Sequence, residues 1–340
     1  MSKQRDYYFD NGKFLLIFFV VFGHLIRSYI EDNEILYALY KTIYSFHMPA
    51  FILVSGYFAK GYFEKGYFTK LVKKLLVPYL IFQIIYSVYY YFLLSEKSLS
   101  INIFNPEWSL WFLVSLFCWH LLLLLFAKMN QPFGFILSII IGILIGYIDF
   151  IDEYLSLSRT FVFFPFFLLG YYLKRKHFYW LKSKVAISSA TIIITSVFVL
   201  FYLFPLMDFE WLFGSKPYNH FETDMTFAWL QRLFIYGVSL ITLFSFWAFV
   251  PRQHYFFTKI GKYTLYIYLL HGFIIKYFRG SDWEKWIAKN HSVWILAVFA
   301  LSLTLLLSSK FVRVLTQPII EFKLANWFSL FKQFNRRLFS

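Results

Sequence analysis

The chain has 340 residues, of which 60% are hydrophobic, 25% aromatic and only 15% charged. A soluble domain carries nearer ~25% charged residues and cannot hide this much apolar surface, so the sequence reads as an all-α, polytopic membrane protein. The net charge of +15 does not mark a nucleic-acid binder, because the basic residues fall in the gaps between apolar segments. Cys118, the single cysteine, excludes an intrachain disulfide and any metal site built on several thiolates.

Taken in chain order, ten apolar segments are expected as helices: 14–30, 40–58, 75–94, 108–127, 133–148, 158–173, 184–204, 227–250, 261–278 and 292–316. The termini and even-numbered loops hold 23 of the 33 Lys and Arg but only four of the 18 acids, Asp6, Asp10, Glu64 and Glu321. The two sides then carry +19 and −4, which predicts ten spans with both termini in the cytoplasm. A reporter fused after Lys184 should read as cytoplasmic and one near Asp152 as external; the reverse result would invert the topology. The acidic n-region, followed by no small-residue cleavage site, predicts that the first helix is retained. Richness in Phe, Tyr, Ile, Leu and Lys suggests an AT-rich bacterial source and a plasma-membrane location.

Residues 1–317 are read as one transmembrane domain and 318–340 as a cytoplasmic amphipathic tail. In that tail Trp327, Phe331, Phe334 and Leu338 share a stripe, with Lys332, Arg336 and Arg337 elsewhere. A near-duplication, KGYFE then KGYFT at 60–69, reads as a second interfacial stretch. The longest gap, 205–226, is acidic and either caps a cavity or links two helices.

The stretch Asp10–Ser28, DNGKFLLIFFVVFGHLIRS, carries the sharpest signal. Asp10 is placed to cap a helix from Phe14, and His24 lies roughly 15 Å in, deep within a hydrocarbon layer of about 30 Å. An ionisable group at that depth is a functional candidate, against the bland reading of a neutral histidine bonded to a neighbouring helix. Lys13 shares a face with His24, eleven residues on. His47, Arg232 and His271 fall on three other helices at a similar expected depth, roughly 8–11 Å below the outer boundary, which points to one shared polar cavity. Pro49 beside His47 frees the carbonyl of Ser45, while Ser55 and Gly56 suit a close helix approach. Trp108 and Trp111 read as interfacial belt residues, with Trp111 and His47 also candidates for substrate contact. Lys73 and Lys74, and the cluster Lys174, Arg175 and Lys176, fit either the positive-inside bias or an anionic cofactor. Neither a phosphate-binding glycine loop, a Rossmann fingerprint, HExxH nor GxSxG occurs, and no metal ligand set is expected.

Asp10, Lys13 and His24, then SFHMPAFILVSGYF at 45–58, WSLWFL at 108–113 and GKYTLYIYLLH at 261–271, resemble the acyltransferase-3 family of membrane acyltransferases. DNGKFLLIFFVVFGHL and FHMP resemble its fucose 4-O-acetylase-like group. The resemblance implies transfer of an acyl group, usually acetyl from acetyl-CoA, to a hydroxyl of an envelope or secreted glycan. It makes His24 the catalytic histidine, Asp10 and Lys13 the charged N-terminal pair where arginine is commoner than this lysine, and His271 the end of a late-helix motif. No SGNH-type extracytoplasmic domain follows, so the chain acts alone or passes the acyl group to a partner protein.

Chemically, a neutral histidine can take the alcohol proton, Arg232 or His271 can face the oxyanion, and Lys13, Lys73 and Lys74 can meet coenzyme A. A transporter or flippase of a polar or anionic metabolite is the rival reading, with a non-catalytic receptor or assembly factor third.

Overall fold

The computed structural model describes residues 6–61, 65–93, 98–151, 154–205, 207–221, 224–290 and 292–322. Among these the chain is helical, with no strand. The amphipathic stripe expected at 327–338 lies outside the described residues, as does part of the 60–69 repeat.

Helix α1 (Tyr7–Ile26) begins about two turns earlier than the sequence suggests. Asp6, not Asp10, is the cap, its carboxylate accepting from the Tyr8 N–H at 3.2 Å. The three aromatic residues that follow have packing partners, Tyr8 and Phe9 both lying against Phe178 and Trp247, so the helix is held from its first turn. Asp10 is thereby carried inside the helix, where it pairs with Lys13 at 2.9 Å. Asn11 ties this end to the segment 251–258. Its amide donates to the carbonyls of Pro251 (2.9 Å) and Gln253 (2.8 Å), and its oxygen accepts from the Thr258 hydroxyl at 2.6 Å.

Helix α2 (Glu34–Tyr57), capped by Asn33, runs through Pro49 and sits centrally, against α1 and the helices Leu157–Tyr172, Lys184–Leu203 and Ala228–Phe249. Helix α3 (Tyr67–Leu71), a π turn (Val72–Leu76) and α4 (Val77–Leu93) form one 27-residue rod. The π turn falls just before Pro78, which has no N–H to give the carbonyl of Lys74. Lys73 and Lys74, expected in a cytoplasmic loop, therefore lie inside a helix, roughly 10 Å from its start by helix rise.

Helices α5 (Trp111–Phe126), α6 (Gln131–Leu144), α7 (Leu157–Tyr172), α8 (Arg175–Trp180), α9 (Lys184–Leu203) and α10 (Ala228–Phe249) follow. Helices α11 (Thr264–Phe278), α12 (Asp282–Lys289), α13 (Trp294–Leu307) and α14 (Lys310–Ile320) complete the described chain. All ten apolar segments are thus helical.

Among the described residues six helices are long and apolar enough to cross a membrane alone, or seven if α13 and α14, bent by 64°, form one span. The rest of the expected ten would come from α2, which carries Lys41, and the shorter α6 and α11. Val185, Ile192, Val199 and Leu203 project outward from α9, a surface that suits lipid rather than water. Where α2 crosses α7 the backbones almost touch. A β-carbon on Gly56 would stand 1.9 Å from the carbonyl oxygen of Phe167, and one on Gly170 would stand 1.9 Å from that of Leu53.

Candidate active site

A cavity of about 480 Å³ runs between α1, α2, the start of α5, α7 and α11. Ile17, Val20 and His24 of α1, with Arg27 just past its end, line the cavity at a spacing of three and four residues, a single stripe. From α2 come Tyr40, Tyr44, His47, Met48, Phe51 and Ser55. Those stripes extend roughly 15 Å and 22 Å by helix rise, so the cavity crosses much of a hydrocarbon layer about 30 Å thick. Leu212 and Phe213 of the 205–226 gap also line it, so this segment caps rather than merely links.

Three histidines meet near one end. The ring of His24 lies 4.5 Å from Trp108 and 5.5 Å from His271, and Trp108 lies 4.9 Å from His271. His47 connects through Tyr44, its ring 4.4 Å away, and the Tyr44 hydroxyl is 3.5 Å from His24 Nδ1. A ring nitrogen bonded to a carbonyl must carry hydrogen. His47 and His271 donate from Nδ1 to the Ile43 and Ile267 carbonyls at 2.9 and 3.0 Å, which leaves their Nε2 atoms as bare acceptors. His271 Nε2 is buried without a hydrogen-bond partner among the described residues. His24 alone of the three has no such anchor to its own helix.

Trp108 packs against both His24 and His271 on backbone of φ 42°, where a non-glycine residue is strained. Two features hold it there. A β-carbon on Gly272 would approach its ring to 2.1 Å, so the glycine makes the room. Ahead of it, buried Gln83 clamps the incoming chain. Its amide donates to the carbonyls of Asn102 (2.6 Å) and Asn105 (2.9 Å), and its oxygen accepts from the Glu107 N–H at 2.9 Å. Gln83 lies ten residues before the end of α4, so this segment dips roughly 15 Å back along the helix.

The remaining expected site residues divide. Trp111 lines the cavity beneath the Arg159 guanidinium, 5.1 Å from the ring, and Lys74 lines it from the π-turn side. Asp10 and Lys13 stand on α1 before Ile17 and do not line it; Lys73 is exposed and does not either. Arg232, placed at the same depth by counting, is also outside it. It donates to the Trp211 carbonyl at 2.8 Å and lies over the Trp211 and Tyr218 rings, holding the outer segment from behind.

A cation that the sequence reading missed beside His24 is Arg279, which lines the cavity and donates to the His24 carbonyl at 2.8 Å. It continues the His271–Ile275 stripe of α11 by one more turn, a signal masked by its place just past the apolar segment. Trp108 and Tyr44 were also missed as site residues. Both look like ordinary membrane aromatics in the sequence.

This arrangement defines a membrane-embedded helix bundle with a histidine-centred, cationic cavity. Residues 6–311 match the acyltransferase-3 family, described as an acyltransferase domain, and the chain belongs to that family. Membership of that family favours the acyltransferase reading of the sequence over the transporter one. The chain is 46% identical over 61 residues to the nodulation protein NolL of Sinorhizobium fredii, covering 17% of each chain. It is 41% identical over 59 residues to the nodulation protein NolL of Mesorhizobium japonicum, covering 16% of each. The aligned part therefore spans about a sixth of these relatives' length. No solved structure matches the chain.

Proposed function

We propose that this acyltransferase moves acetyl from acetyl-CoA to a hydroxyl of an envelope or secreted glycan, as in the fucose 4-O-acetylase-like group, from a bacterial plasma membrane. The supporting observation is the position of His24 in an elongated cavity that has cations toward both ends and no Asp or Glu among its lining residues.

The residues suit the donor. Lys74 faces the cavity and Lys13, oriented by Asp10, stands on the same α1 stripe nearer the helix start, so both can attract phosphates arriving from the cytoplasm. When bound, acetyl-CoA supplies a thioester whose acyl carbon an alcohol can attack. His24 then acts at Nε2, provided Nδ1 carries its own hydrogen and the Tyr44 oxygen accepts it. It takes the hydroxyl proton as the C–O bond forms and returns it to the leaving sulfur as the C–S bond breaks. Tyr44, its oxygen accepting from His24, still has its O–H to offer the developing oxyanion. His271 has no proton on Nε2 to give, so it supports Trp108 and His24 rather than the oxyanion. Trp111 and His47 lie along the acceptor path.

Sealed vesicles of known orientation test the reading. Cytoplasmic-side acetyl-CoA should support acetylation of an acceptor on the other face. A requirement for both substrates on the cytoplasmic face would remove the cross-membrane route. Lys74→Gln should raise the KM for acetyl-CoA by about tenfold, with kcat little changed, because a charge-assisted phosphate contact is lost before the chemical step. A fall in kcat at constant KM would take Lys74 out of donor binding.

A further inference from the structure

We propose that the acceptor carries a fixed negative charge, a carboxylate or phosphate on the molecule that presents the hydroxyl, and that Arg27 and Arg279 hold it beside His24. This rests on the acyl-transfer reading of the same cavity. Four permanent cations line that cavity, Arg27, Lys74, Arg159 and Arg279. Charges inside an apolar bundle are costly and call for counter-charge.

Lys74 stands toward the donor end, and Arg159 lies over Trp111. The other two flank His24 and are poorly compensated. Arg27 pairs at 3.1 Å with Glu31, whose side chain is 76% exposed, a kind of pair that contributes little. Arg279 gives one nitrogen to the neutral carbonyl of His24, and its Nε is buried with no hydrogen-bond partner among the described residues. Glu284 of α12, whose carboxylate accepts from the Gly280 N–H, makes no salt bridge to Arg279 among the described residues.

Position separates this site from donor binding. Lys13 lies eleven residues before His24 on α1, roughly 16 Å, whereas Arg27 lies roughly 4.5 Å beyond it. A donor with its acyl carbon at His24 has its phosphates back toward Lys13, so an anion beyond His24 belongs to the other substrate. Two guanidinium forks match the paired oxygens of a carboxylate or phosphate. Tyr40, Tyr44, Phe213 and Trp108 add apolar faces that suit a sugar ring.

The test uses the full chain purified in detergent with saturating acetyl-CoA. Acceptors are methyl xyloside (neutral, without C6), methyl glucoside, methyl glucuronoside and methyl glucoside 6-phosphate. The two acids should show kcat/KM at least about tenfold above both neutral sugars, the carboxylate and phosphate arms deciding between the two anions. Arg27→Gln should lower kcat/KM on the acids more than on the neutral sugars, bringing the two classes within about threefold; Arg27→Lys should restore part of the preference. Equal use of neutral sugars by the wild type, or an equal loss on all acceptors in Arg27→Gln, would overturn the site. If nothing is acetylated, calorimetry with glucuronate and glycerol 3-phosphate separates the two claims. Binding that needs Arg27 would uphold the anion site and sink acyl transfer, whereas no binding would sink the site.

Discussion

The His24→Ala protein should reach the membrane in normal amount yet transfer acyl groups at least ~10²-fold more slowly, the usual contribution of a general base. The fold should survive because little of it depends on this imidazole. Arg279 binds the backbone carbonyl, which alanine keeps, and the Tyr44 contact of 3.5 Å is at the limit of a hydrogen bond. His271→Ala makes the contrast, since its ring is fully buried and bonded to its own helix, so its loss should disturb packing as well as rate. Thiol release from acetyl-CoA in the presence of acceptor is the measurement. Near-normal turnover in His24→Ala would move the chemistry elsewhere in the cavity.

The second large effect is on the fold. Gly56→Ala should destabilise the bundle by about 3 kcal/mol or more, at the upper end for overpacking. Two effects compete. Alanine is the better helix former by about 1 kcal/mol, which taken alone would stabilise α2. Its methyl, however, would stand 1.9 Å from the Phe167 carbonyl oxygen, part of the α7 backbone, and a backbone cannot rotate away. Relief requires the central helix to move off α7, and the Gly170–Leu53 contact one turn along resists that movement. Gly170→Ala should act alike. Tryptophan-monitored thermal unfolding in detergent is the check; a Tm unchanged in both variants would show that the crossing is looser than described.

Helix positions were largely legible because hydrocarbon leaves the backbone few alternatives and apolar runs report it directly. Side-chain direction was harder. Counting residues from a soft boundary gave Arg232 the depth of His24 but not its azimuth, and the α10 face bearing Arg232 turns toward Trp211. Arg279 had the right azimuth but was counted as a loop charge. The lysines at 73 and 74 looked like a loop because two charges interrupt the apolar run, whereas the rod from Tyr67 absorbs them within a π turn. The early start of α1 depended on Phe178 and Trp247, aromatic partners far along the chain that no local pattern reveals. Trp108 depended on Gln83 and Gly272 in the same way.

The Gln83 clamp has a consequence for inheritance. Its amide satisfies two carbonyls and one N–H of chain that has left helical geometry inside the bundle. Glutamate could accept but not donate, asparagine is one methylene short, and leucine would leave three backbone groups dry. Position 83 and the run 102–107 therefore form one heritable unit. A lineage that altered the length of that run would be freed to change residue 83, while one that kept the length would be held to glutamine.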